Sequence, residues 1–170
     1  MRNKIKPIKL ILMDVDGVLT DGGIILGSNG FEMKIFNVQD GAGVTLARKA
    51  GLKVGIITGR ESEAVARRVQ ELKMDVVSQG HFNKLGEYER IKNEMNLDDS
   101  EIAYIGDDIL DLCILERVGF AAAPQNARPE VKSQVAYVTR ANGGNGAVRE
   151  LIDMILKEKG LWDQAVSLMK

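Results

Sequence analysis

The sequence predicts an α/β protein built on a doubly wound parallel sheet, with a protruding β-hairpin. Three observations carry that expectation. Short apolar runs that read as strands alternate with longer stretches of helical periodicity. The first run, Ile8 to Met13, ends abruptly in Asp14-Val15-Asp16-Gly17, as a buried strand does when it delivers side chains into a crevice at its carboxyl end. Polar residues recur at the same place after later apolar runs, at Thr58 and Asp107.

Length and composition narrow the class. A chain of 170 residues can bury one good core but is too short for two ordinary domains with linkers, so one domain over 1–170 is expected. With 45% hydrophobic and 28% charged residues it fits a soluble globular protein. Lys plus Arg (23) balance Asp plus Glu (24), which leaves no basic field for nucleic acid or an acidic membrane surface. Any anion specificity is therefore local. No stretch approaches the roughly 18 apolar residues of a membrane span, and only a short basic lead precedes the first strand. Neither a span nor a signal peptide is indicated, so cytoplasmic residence is expected. The single Cys113 excludes an internal disulfide, and its apolar neighbours Leu110, Leu112, Ile114 and Leu115 predict a buried thiol.

The elements follow in order. After the first strand, Gly23 to Phe36 holds two short apolar segments around a Gly-Ser-Asn-Gly turn, the pattern of a hairpin that projects rather than packs. Its second arm alternates Phe31, Met33 and Ile35 with Glu32 and Lys34, while its first arm is apolar on both sides. From about Asp40, Val44, Leu46, Ala47 and Ala50 fit a helix that stops at Gly51. Lys53–Ile57 is a second buried strand, and Ala64, Val65, Val69 and Leu72 stripe the next helix. Val76-Val77 is a brief strand. Leu85, Tyr88, Ile91 and Met95 line another helix, with Asn83 as N-cap and Glu87 near the capping-box position. Ile102–Ile105 is a fourth strand, Ile109 to Glu116 a short helix, Gly119 to Pro124 a fifth strand and Val135 to Val138 a sixth at the sheet edge. A last long helix from about Gly146 to Lys159 ends at Gly160.

Asp14, Thr58 and Asp107 each follow a strand directly, and Lys84 follows the third strand by a short loop, so four segments point at one crevice. Asp14 and Asp16 lie close enough to repel, and a hard divalent cation is the first compensation to expect. Carboxylates, a hydroxyl and an ammonium form an inventory for phosphoryl transfer. Taken singly, each piece has a plainer reading: Thr58 and Gly59 as a helix cap, Lys84 as a solvated first-turn residue, Asp107-Asp108 as an N-cap. Lys84 is nonetheless a cation at the positive end of a helix, which favours function.

Asp14-Val15-Asp16-Gly17-Val18-Leu19-Thr20 resembles the first motif of the haloacid dehalogenase phosphohydrolases. Over nearly the whole chain the likeness is to a capless subfamily, the 3-deoxy-D-manno-octulosonate 8-phosphate (KDO 8-phosphate) phosphatases. The resemblance implies a Rossmann-like sheet without a cap domain and assigns roles. Asp14 would form an aspartyl-phosphate, and Asp16 would serve as acid and base. Thr58, Gly59, Arg60 and Lys84 would bind phosphate and substrate. Asp14, the carbonyl of Asp16 and Asp107 would hold Mg²⁺, with Asp108 and Asp111 orienting its waters or holding Lys84. Gly143 to Glu150 resembles the family's Gly-Gly-Arg-Gly-Ala-Val-Arg-Glu signature with Asn145 in place of Arg, which removes one presumed carboxylate contact. Gly-rich loops before helices also bind anions generically. His81, in the loop beside Lys84, reads equally as a substrate contact or an exposed polar residue. Arg60 is typical of the octulosonate branch, where nonulosonate 9-phosphate phosphatases carry Glu.

Other readings stand beside this one: a phospho-receiver domain, whose phosphoacceptor would end the third strand rather than the first, and a non-catalytic oligomerising module. The resemblance also implies a homotetramer, in which the hairpin completes a neighbour's site. Its apolar tail, about 160–170, would reach an adjacent site or pack on its own subunit.

Overall fold

The protein's computed structural model describes residues 2–169. A short helix α1 (Arg2–Ile5) leads into β1 (Leu10–Met13), and β2 (Ile25–Leu26) and β3 (Glu32–Met33) follow as an antiparallel pair. Then come α2 (Val38–Lys49), β4 (Lys53–Ile57), α3 (Glu63–Glu71), β5 (Val76–Ser78) and α4 (Lys84–Glu94). The chain ends with β6 (Ile102–Ile105), α5 (Leu112–Leu115), β7 (Phe120–Ala123), α6 (Pro129–Lys132), β8 (Tyr137–Val138), α7 (Ala147–Lys159) and α8 (Trp162–Ser167).

Six strands form one parallel sheet in the order β5-β4-β1-β6-β7-β8. β1 is central, with Met13 in register with Ile56 on one side and Ile105 on the other. The chain winds from β1 towards β5 in one direction and from β6 towards β8 in the other, so the strand order reverses beside β1 and a crevice opens at its carboxyl end. Alternate β1 residues feed two cores, as the period of a strand requires. Ile11 and Met13 pack with residues of α2 and α7 such as Val44, Leu151 and Ile155. Leu10 and Leu12 pack with Tyr88, Ile91 and Ile114 on the other face. A strand buried on both faces reads as a continuous apolar run, which is what Leu10 to Met13 shows. Among the described residues no helix is long and apolar enough to cross a membrane.

Several local expectations are corrected. Cys113 is half-buried, packed against the margin of the core beside Ile114 and Leu115 rather than within it. Asn83 does cap α4, accepting from Gly86 N at 3.2 Å, but Glu87 accepts from Ser78 Oγ at 2.8 Å instead of closing a capping box. The hairpin keeps its alternation, with Phe31, Met33 and Ile35 exposed, yet it does not simply project. Its polar side, Glu32 and Lys34, lies on Asp16 of the same subunit. The tail packs on its own subunit: Ala165 is buried, Trp162 lies against the core and the Lys157 Nζ sits 4.8 Å from the Trp162 ring centroid. Lys170, at the end of the tail, lies outside the described residues.

Candidate active site

Asp14 leaves β1 with its N–H bonded to the Ile105 carbonyl at 3.0 Å, which fixes it beside β6. The chain then turns tightly, the N–H groups of Leu19 and Thr20 both donating to the Val15 carbonyl at 2.9 and 3.0 Å. The Thr20 hydroxyl accepts from Gly17 N at 3.4 Å and Gly22 N at 3.2 Å, so the last residue of the motif ties the loop internally. Gly17 has φ +94°, and a Cβ there would lie 2.1 Å from Asp107 Oδ2. Only glycine lets this loop rest against Asp107.

Lys84, the first residue of α4 and 4% exposed, directs its Nζ at Asp14 Oδ1 (3.0 Å) and Asp111 Oδ1 (2.7 Å). Burial works against its charge, but the two carboxylates outweigh burial and raise the ammonium pKa. Asp111 also accepts from Tyr104 OH at 2.7 Å and from the N–H groups of Asp107 and Asp108 at 3.0 and 3.2 Å. Its lone pairs are thus fully engaged. Asp108 is exposed and caps the turn after β6 through Ile109 N at 2.6 Å, so Lys84 is held by Asp111 alone of that pair. One oxygen each of Asp14, Asp107 and Asp111 lie within 4.8 Å of one another. Burial first, then Asp111, pushes Asp14 up to about 6. Burial first, then Asp14, pushes Asp107 up to about 7.

Those shifts show carboxylates short of positive charge, and Asp107 Oδ1 is buried with no hydrogen-bond partner among the described residues. A hard, oxygen-liganded cation fits these donors. Asp111, already saturated, is better suited to holding Lys84 than to ligating, which leaves Asp14 and Asp107 as the side chains for an ion.

Asp16 faces the hairpin. Lys34, its side chain wholly buried, ion-pairs with Asp16 and, at 3.1 Å, with Glu32. Arg60 approaches Asp16 Oδ2 at 3.6 Å and Glu32 Oε2 at 3.5 Å, closing a ring of alternating charge over the site. Thr58 is buried at the end of β4, and Gly59 has the Phe82 ring over it, 3.2 Å from where a Cβ would lie. His81 is half-exposed, with Nδ1 4.0 Å from Glu87, so it points along the rim rather than into the carboxylate cluster. Lys34, Glu32 and Tyr104 are the neighbours that sequence reasoning missed. The alternation of Glu32 and Lys34 was the available signal for the hairpin pair.

The Gly-rich loop turns out to be scaffolding. Its N–H groups are spent internally: Gly143 on Asn126 Oδ1 (2.8 Å), Gly144 on the Val18 carbonyl (2.9 Å), Asn145 on the Asn142 carbonyl (3.0 Å) and Gly146 on Asp40 Oδ2 (3.2 Å). The generic anion binding of Gly-rich loops before helices needs free donors, and these are engaged. Asn145 itself turns its amide onto the Gly143 carbonyl at 3.3 Å.

Residues 74–151 match the model of the haloacid dehalogenase-like hydrolases. The chain is 41% identical to the 3-deoxy-D-manno-octulosonate 8-phosphate phosphatase KdsC of Escherichia coli, over 95% of this chain and 86% of that one. The crystal structure of the corresponding phosphatase from Moraxella catarrhalis, in complex with magnesium, phosphate and KDO, superposes with a TM-score of 0.95 at 40% identity, covering 99% of this chain and 97% of that one. The cobalt-bound Haemophilus influenzae phosphatase superposes with a TM-score of 0.92 at 35% identity, covering 98% and 99%.

Proposed function

This chain belongs to the KDO 8-phosphate phosphatase family of the haloacid dehalogenase-like hydrolases, and from that membership we infer that it is a Mg²⁺-dependent phosphatase releasing KDO and phosphate from KDO 8-phosphate. The observation that best supports the chemistry is Asp14 at the strand-order reversal, 3.0 Å from Lys84 and clustered with Asp107, whose Oδ1 has no partner among the described residues.

The Asp14 carboxylate attacks phosphorus, forming an aspartyl-phosphate as the bond to the sugar oxygen breaks. The departing alkoxide takes a proton from Asp16. Asp16 then takes a proton from water, whose oxygen attacks the aspartyl-phosphate and frees Asp14 and inorganic phosphate. Lys84 and Thr58 hold the phosphoryl oxygens, while Arg60 and the Gly59 backbone face the sugar acid. Asp14, Asp107 and the Asp16 carbonyl would hold Mg²⁺, which would supply charge neutralisation at the phosphoryl group.

We read the chain as one domain acting in the cytoplasm as a homotetramer. The outward apolar face of the hairpin, with Phe31 61% and Ile35 69% exposed, supports assembly through that element. Phosphate release from a panel of phosphorylated sugar acids, sugars and nucleotides, with and without Mg²⁺, tests the assignment. KDO 8-phosphate should give the highest kcat/KM, and a nonulosonate 9-phosphate ahead of it would overturn the substrate.

A further inference from the structure

Asp40 carries no part of the proposed chemistry, yet it is a carboxylate only 1% exposed, and its interactions lead step by step to the metal cluster. It lies in the first turn of α2. One turn further on, Gly43 lets α2 and α7 touch backbone to backbone: a Cβ there would be 3.2 Å from the Cα of Arg149. That approach brings Asp40, on the same helix face, to the start of α7. There Oδ1 accepts from Arg149 N at 2.8 Å and Oδ2 from Gly146 N at 3.2 Å.

Gly146 is the last residue of the Gly-rich loop, and the loop touches the segment after Asp16 at three points. A Cβ on Gly143 would lie 1.7 Å from the Gly17 carbonyl oxygen, and one on Gly144 would lie 2.5 Å from Asp21 N. Gly144 N donates to the Val18 carbonyl at 2.9 Å. Gly17 in turn rests on Asp107 with no room for even a methyl group. Asp40 therefore fixes the start of α7, α7 fixes the Gly-rich loop, the loop backs Gly17, and Gly17 backs Asp107.

We propose that Asp40 is a positioning residue for the metal site, acting through the Gly-rich loop and Gly17 to hold Asp107 and the Asp16 backbone in place for the cation. This rests on the Mg²⁺-dependent phosphatase reading for the identity of the ion but not for the substrate. The contact chain couples cation binding to the Gly-rich loop in both directions, because coupling between two sites is reciprocal.

Two measurements test it. In the wild-type protein, Mg²⁺ should slow amide hydrogen exchange at Gly144, Gly146 and Arg149 about tenfold, a readout that needs no substitution and no substrate. In Asp40→Asn, Mn²⁺ titrated in place of Mg²⁺ and followed by its spin resonance should bind about tenfold more weakly, in the range of losses seen when an outer partner of a metal ligand is removed. kcat should fall with it and KM for the sugar acid phosphate should stay within about twofold. Ile155→Val, which weakens α7 in the core away from the loop, serves as the matched control and should lower Tm without moving the Mn²⁺ Kd. Exchange indifferent to Mg²⁺, or an Asp40→Asn protein that loses Tm but keeps the wild-type Mn²⁺ Kd, reduces Asp40 to a helix cap and overturns the proposal. A wild type that binds Mn²⁺ yet leaves KDO 8-phosphate intact would instead overturn the substrate assignment alone.

Discussion

Lys84 Nζ stands 2.7 Å from Asp111 and 3.0 Å from Asp14, so one buried ammonium is shared between a carboxylate saturated with donors and one that is not. Asp111 fixes the cation, and Asp14 is left with an oxygen for other work. Removing the anchor should therefore harm both fold and activity. Asp111→Ala leaves Lys84 with Asp14 alone, strands the Tyr104 hydroxyl and two backbone N–H groups, and should cost about 3–5 kcal/mol of stability, as for other buried pairs broken from one side. Urea denaturation measures it, and a loss below about 1 kcal/mol would mean that water replaces Asp111 readily. Asp111→Asn keeps the shape and should lose less stability than Asp111→Ala while still lowering kcat, since its amide no longer balances Lys84.

Asp14→Asn should abolish turnover, because an amide is no nucleophile. Trapping with beryllofluoride and Mg²⁺ should place the adduct on Asp14 in the wild type and give none in the variant. An adduct on Asp107, or activity retained in Asp14→Asn, would end the aspartyl-phosphate mechanism.

The pH dependence follows from the raised carboxyls. Without metal, burial and then Asp111 hold Asp14 at about 6, and burial and then Asp14 hold Asp107 at about 7. In the unfolded chain both titrate near pH 4. The folded, metal-free protein thus binds protons that the unfolded chain has released. Their contribution to stability is present below about pH 4 and is lost as pH rises through 6 to 7. Protons and Mg²⁺ compete for the same oxygens, so the Mg²⁺ Kd should fall as pH rises to about 7 and level off above about 8. The gain in Tm on adding Mg²⁺ should be larger at pH 8 than at pH 5.5. Calorimetric titration across that range checks the direction, and an affinity that weakens with rising pH would contradict it.

The end of β1 and the start of α4 were legible because both announce themselves locally: an apolar run that stops at Asp14, and Asn83 before Lys84. The cluster on Asp16 was not, because Lys34 and Asp16 are 18 positions apart and nothing in the hairpin pattern says which way its polar side turns. Cys113 was misread for a related reason. Ile109 and Leu110 are more than half exposed beside it, and in a helix of one turn apolar identity does not tell inside from outside. The partners of the Gly-rich loop were not legible either, because a motif shows that N–H groups converge but not whether Asp40, 106 and 109 positions from Gly146 and Arg149, has already taken them.

The hairpin presents two faces with opposite demands, and this sets the last prediction. Glu32 and Lys34 turn towards Asp16 and Arg60 of their own subunit. Ile25, Phe31, Met33 and Ile35 consequently turn outward, on a pair of strands only two residues long each. Such a pair is marginal alone, and an apolar surface of this kind is ordinarily covered by a partner. The chain between Asp16 and α2 holds only this hairpin with which to screen the reaction from water, so covering its outer face also steadies the residues that close on Asp16. Ile25→Asp combined with Ile35→Asp should dissociate the assembly in light scattering and lower kcat/KM on KDO 8-phosphate, with Asp14 and Lys84 untouched. Lys34→Met should lower kcat without dissociating it, because its buried contact is within the subunit. A wild type that is monomeric at working concentration, or a dissociated variant with undiminished kcat/KM, would show that each subunit closes its site unaided.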